Sequence, residues 1–311
     1  MSDIRRSEGS AVAAALVGLL CSLAIAGCGD GSGDAAKLLR ETFTAQHTIS
    51  SGVLEVQLTI DPAGSSTFHG PITLSFGGPF QSLGSGRLPR SDFTLGLSGS
   101  GFRGSLGILS TGTAGYVTVK GVSYQLPQAS FQRLESSFAA AATPSGAGIF
   151  SHLAAALTNA TVVGEESVAG AGTTHIRAGV NVPAALADVS TVLRQASSIG
   201  VSGSHRLAVG LSPAAQRRIA GEVKNPTFDL WTGTHDKTLR RLQLGATLAV
   251  SGQVGQLLGS RSVDLGLSIQ YSALNQPQAI TAPATVRPFR EFAATLRALQ
   301  QKLQGALGGA G

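Results

Sequence analysis

Val53-Leu54-Glu55-Val56-Gln57-Leu58-Thr59-Ile60 places apolar side chains (Leu54, Val56, Leu58, Ile60) and polar ones (Glu55, Gln57, Thr59) at alternate positions. A period of two sends the sets to opposite faces of a β-strand, one suited to a core and the other to water. Asp61-Pro62-Ala63-Gly64 then supplies a turn, and further strands are predicted over 68–76, 92–98, 102–111, 115–120 and 122–126, with Phe93, Leu95 and Leu97 sharing a face. Short, sequential, turn-linked strands favour an antiparallel meander. The Gly and Ser residues in and beside them mark bends and close approaches, which predicts a strongly curved sheet.

Helical spacing flanks and interrupts this pattern. Asp34 reads as the N-cap of a helix through Phe43, and two alanine-rich helices are predicted over 130–142 and 148–157. Strands follow at 160–168 and 173–180, helices at 183–195 and 212–224, and strands at 227–231, 238–250 and 263–271. Phe289, Phe292, Leu296, Leu299 and Leu303 make a C-terminal amphipathic helix over 288–307. The order predicts one α+β domain over 35–311: a strongly curved antiparallel β-sheet, helices packed on one face, and the C-terminal helix.

Upstream lies a different kind of segment. Arg5 and Arg6 precede an apolar run from Ala11 to Ile25, and Leu23-Ala24-Ile25-Ala26-Gly27-Cys28 ends it in small residues before a cysteine. A basic start, a short apolar run and a small-residue cleavage site form a secretory leader, here with a lipobox at its end. The expectation is a signal peptide over 1–27, acylation of Cys28, and a flexible tether over 28–34. The run is shorter than the about 20 apolar residues that span a bilayer. The chain is expected to sit at the extracytoplasmic face of the cell membrane, held there by lipid.

Composition narrows the function. Charged residues are only 13% of the 311, hydrophobic ones 42%, and the formal net charge is +6. The positive balance suits anionic headgroups or plain solubility, and with no run of like charge it does not signal nucleic acid. Cys21 and Cys28 are the two cysteines, so the processed chain would carry neither disulfide nor free thiol. Gly99-Ser100-Gly101-Phe102-Arg103-Gly104 matches G-x-G-x-x-G but sits between two strands, which reads as a hairpin turn rather than a dinucleotide site. The histidines 47, 69, 152, 175, 205 and 235 are scattered without metal-ligand spacing and read as surface or turn residues. Glu165-Glu166, the adjacent acidic pair, points to opposite faces of a strand and makes a poor acid/base couple. The reading is therefore of no enzyme, no metal and no cofactor.

Two hairpins carry a resemblance. Asn225-Pro226-Thr227-Phe228-Asp229-Leu230-Trp231 with Thr232 to Leu242 has a strand ending in tryptophan, a polar turn and a basic-leucine strand. Gly115-Tyr116-Val117-Thr118-Val119-Lys120 with Gly121 to Pro127 forms the second. With the lipobox, they are similar to the LppX/LprAFG-type (LolA/LprG-like) actinobacterial lipoproteins over roughly 35–271. The resemblance implies a half-barrel with helices on its concave face and a hydrophobic cavity for acyl chains of a lipid or glycolipid. The side chains expected to face that interior are Leu54, Val56, Leu58, Phe93, Leu95, Leu97, Leu242, Leu244, Leu265 and Leu267. The same residues would serve a filled core, so a tethered surface-interaction or scaffold lipoprotein is the alternative; the sequence names no protein partner.

Overall fold

The computed structural model describes residues 33–44, 49–141, 156–187 and 212–294. The predicted leader, Cys28, most of the helices expected over 148–157 and 183–195, and the C-terminal helix beyond 294 lie outside the described residues.

The elements run α1 (Asp34–Thr44), β1 (Ser51–Pro62), β2 (Ile72–Gln81), β3 (Arg90–Gly99), β4 (Phe102–Ser110), β5 (Gly115–Val119), β6 (Val122–Gln125) and α2 (Gln128–Ala141). They continue with β7 (Leu157–Val168), β8 (Ala171–Val180), α3 (Pro213–Glu222), β9 (Val223–Gly233), β10 (Leu239–Ala249), α4 (Gly252–Leu258), β11 (Ser262–Ser272) and β12 (Arg287–Pro288). All twelve strands belong to one open sheet of order β12-β6-β5-β4-β3-β2-β1-β11-β10-β9-β8-β7. Every pairing is antiparallel except that of β12 with β6. The sheet is two meanders, β1 to β6 and β7 to β11, joined where β1 pairs with β11. A twisted sheet this wide curls, and the result is the α+β half-barrel.

Directly opposed residues share a face, so the registers trace one apolar row across eleven strands. It runs Val122, Val119, Leu106, Leu95, Phe76, Val56, Ile269, Leu242, Leu230, Ile176, Val162. Two helical segments cover its flanks. α1 buries Ala35, Leu39 and Phe43 against Ile176, Phe228, Leu230 and Leu242, and its Thr42 hydroxyl donates to Thr232 at 2.7 Å. Across the sheet, residues 289–294 form a helical turn whose Phe292 meets Tyr124 of β6 at 5.5 Å between ring centres.

Several boundaries depart from the sequence reading. The second strand begins at Ile72 rather than at 68 and passes through Gly77-Gly78-Pro79. Those residues look like a turn, but only glycine fits there. A Cβ on Gly77 would stand 2.1 Å from the Leu54 carbonyl oxygen, and one on Gly78 (φ +146°) 2.0 Å from that of Asp92. β9 starts at Val223, inside the segment predicted as helix to 224, because β10 supplies partners as far as Val223. α4 was not anticipated, since its glycines argue against a helix. Residues 287–288 pair with β6 before the helical turn begins. Gly99 to Gly104 is the β3–β4 hairpin as expected, with Ser100 and Gly101 at φ 46° and 81°.

Candidate functional site

The ten residues singled out from the sequence fall on one face. Leu58 opposes both Leu74 and Leu267, Leu74 opposes Leu97, and Leu267 opposes Leu244. Val56 leads through Phe76 to Leu95 and through Ile269 to Leu242, and Leu265 opposes Ile60. Leu54 and Phe93 keep the same alternation along β1 and β3.

Burial grades along this face. At the end where β1 begins, Leu54, Phe76, Phe93, Ile269 and Tyr271 form a tight cluster, with the Phe76 and Phe93 rings 4.9 Å apart. This is the closed end. Beside that cluster Val56 and Leu95 are half-buried, and so are Leu58, Leu267, Leu244 and Leu265 in the next ranks, while Val263 at the start of β11 is buried again at 2% exposure. Leu97 is 42% exposed, opposite a glycine, Gly104, that cannot cover it. This is the open end. Apolar side chains left half-wetted in ranks several strands wide are what a surface for hydrocarbon requires.

The opposite face holds a polar ladder that the sequence did not reveal. Glu55, Gln270, Arg241, Trp231 and His175 stand in register across β1, β11, β10, β9 and β8. Gln270 donates to Glu55 at 3.1 Å, and Arg241 Nε donates to Gln270 at 2.8 Å. Arg241 also lies 5.4 Å from the Trp231 ring centre, while His175 stacks on that indole at 4.2 Å. Histidine 175, read from sequence as a surface residue, is 5% exposed. Its Nδ1 is 2.9 Å from Glu166 Oε1 and its Nε2 is 2.7 Å from Asp229 Oδ1. Arg177 Nε donates to the same Asp229 oxygen at 2.9 Å, and Trp231 Nε1 donates to Glu166 Oε2 at 2.9 Å. The indole N–H, helped by His175 and Arg241, holds the Glu166 carboxyl below its ordinary range against the opposing cost of desolvation. This cluster closes on itself: each ring nitrogen already has a carboxylate partner, and the ladder fastens five strands from outside.

Among the described residues no group of His, Cys, Asp or Glu is arranged to hold a metal ion, and no helix is long and apolar enough to cross a membrane.

No family model and no curated protein matches the sequence. Solved structures do resemble it. LprF from Mycobacterium bovis is similar over 83% of this chain and 100% of its own, at 14% identity and a TM-score of 0.41. The Mycobacterium tuberculosis lipoprotein LppX is similar over 80% and 100%, at 15% identity and 0.35. A LolA superfamily protein from Nitrosomonas europaea covers 80% of this chain and 96% of its own, at 9% and 0.21. LppX and LprF are of the group that the two hairpins resemble in sequence. No site residue is carried over from any of them.

Proposed function

We propose that this chain is a lipoprotein, tethered at the outer side of the cell membrane through acylated Cys28, whose apolar sheet face receives acyl chains of a lipid or glycolipid. The supporting observation is the apolar face itself, sealed at one end and half-open at the other. Moving a two-tailed lipid out of a bilayer costs about 0.8 kcal/mol per methylene, tens of kcal/mol in all. Only a broad apolar surface offsets that. The chain performs no bond-making step in this reading; it shields hydrocarbon and could carry it within the envelope.

The full chain, purified from membranes in mild detergent, tests this by native mass spectrometry. Bound lipid, or uptake of phospholipid or glycolipid on offer, is expected. Leu58→Asp with Leu267→Asp, two half-buried neighbours in one rank, should abolish that uptake while the circular dichroism of the sheet persists. Lipid-free protein that accepts none would leave a tethered scaffold with a filled core. Denaturing mass spectrometry of the same material checks the anchor, and an unmodified Cys28 thiol would overturn it.

A further inference from the structure

The β3–β4 hairpin ends the apolar face in a side chain the core does not need. Phe102, Gly104 and Leu106 alternate onto that face, and Phe102 is 59% exposed at the tip, with Leu97 42% exposed beside Gly104. Exposing a large aromatic and a leucine together at a turn forgoes the stabilisation that burial of each would contribute.

The surroundings of this tip point to its partner. Arg103, one residue on, faces the polar side of the sheet and is exposed, and Lys120 is exposed in the neighbouring β5–β6 turn. Between Asp92 and Glu135 the chain contains Arg103, Lys120 and Arg133 but no acidic residue. This quarter of the sheet is purely cationic. Elsewhere at the open end Asp61 and Asp264 oppose each other on the polar face, and Asp264 accepts a bond from Thr247. The tip is also braced, since the His69 N–H donates to Ser100 Oγ at 3.2 Å.

The path of the N-terminal chain supplies an independent observation. Thr42 pins the last turn of α1 to Thr232, near the closed end. Ala35 and Leu39 are buried over the sheet as well, so the helix runs back across it. Its first turn, about 12 Å away at ~1.5 Å per residue, is thereby directed away from the closed end. Cys28 lies only five residues before Gly33.

We infer that the open end is a membrane-docking surface: Phe102 and Leu97 enter the interface of an anionic bilayer, and Arg103 and Lys120 lie against its phosphates. Phe and Leu side chains on a surface that also carries cations bury at the headgroup/acyl boundary, and each cation near an anionic surface strengthens attachment severalfold in a salt-dependent way. This rests on the tethered reading above for its purpose, since docking would set the half-open apolar ranks facing the bilayer that supplies their occupant.

The test uses the full chain with Cys21→Ser and one introduced cysteine, Ser100→Cys at the tip or His235→Cys in the exposed β9–β10 turn at the closed end. Each carries an environment-sensitive fluorophore and is reconstituted into phosphatidylglycerol/phosphatidylcholine or pure phosphatidylcholine vesicles, with the parent lacking an added cysteine as blank. In anionic vesicles the label at 100 should shift blue and be quenched at least twofold by shallow nitroxide lipids, and the label at 235 should not. Phe102→Asp, or Arg103→Glu with Lys120→Glu, should remove most of that quenching while Trp231 emission, reporting the fold, stays unchanged. Equal response at both positions, response only at 235, no response, or equal response in neutral vesicles would each overturn the inference. Lipid found by native mass spectrometry without quenching at 100 would sink docking and leave the carrier reading standing. Quenching without lipid would do the reverse.

Discussion

At His175 a single imidazole touches two carboxylates and an indole, and its removal is felt by three strands. His175→Ala would leave Glu166 and Asp229 facing each other's charge and strip one face of Trp231. We expect a loss of about 2 kcal/mol in urea unfolding followed by Trp231 emission. Glu166 gives the pH dependence. Its carboxyl is held below the ordinary range in the folded chain, so it contributes stability at neutral pH that disappears as pH falls through and below that range. Glu166→Gln should therefore lower the unfolding midpoint at pH 7, and the gap to the parent should close in acid. A gap that widens in acid would contradict the assigned contacts.

In the strands, features set by local alternation are legible in the sequence, and features set by a pairing partner are not. β1, β3 and β11 announce themselves by strict alternation, which puts eight of the ten inward side chains, all but Leu242 and Leu244 of β10, on one face of their own strands without any knowledge of register. β2 was misplaced because Gly77-Gly78-Pro79 has the composition of a turn, whereas its glycines are required by the backbones of β1 and β3 passing on either side. The polar cluster was invisible for the same reason. Glu166, His175 and Asp229 lie on three strands, and nothing in T-H-I-R or G-E-E-S says which will be neighbours. The one available hint is Trp231 with Asp229 and Arg241 in the hairpin that is similar to those of LppX/LprAFG-type lipoproteins. Gly78→Ala tests the explanation for β2: a Cβ meeting a carbonyl at 2.0 Å, at φ +146°, should cost roughly 2–4 kcal/mol, read as a lowered thermal midpoint. Near-neutral behaviour would mean that β2 can move aside.

Across the whole molecule, the gradient from sealed to half-open interior follows from where small residues stand. Rings fill the closed end, and leucines opposite glycine or one another line the other. Substitutions at the two ends should therefore separate. Phe93→Ala, in the sealed cluster at 0% exposure, should cost about 3–5 kcal/mol of stability. Leu58→Asp with Leu267→Asp should instead abolish the lipid uptake proposed above, at a smaller loss of stability.

The join between the two meanders carries a kinetic consequence. Within each meander, pairing is between sequence neighbours, but Glu55 and Gln270, which meet across the β1–β11 join, are 215 residues apart. Local hairpins form first, and closure of so large a loop comes late. The protein should accordingly refold in two phases in stopped-flow Trp231 fluorescence, the slower one reporting closure of the β1–β11 join.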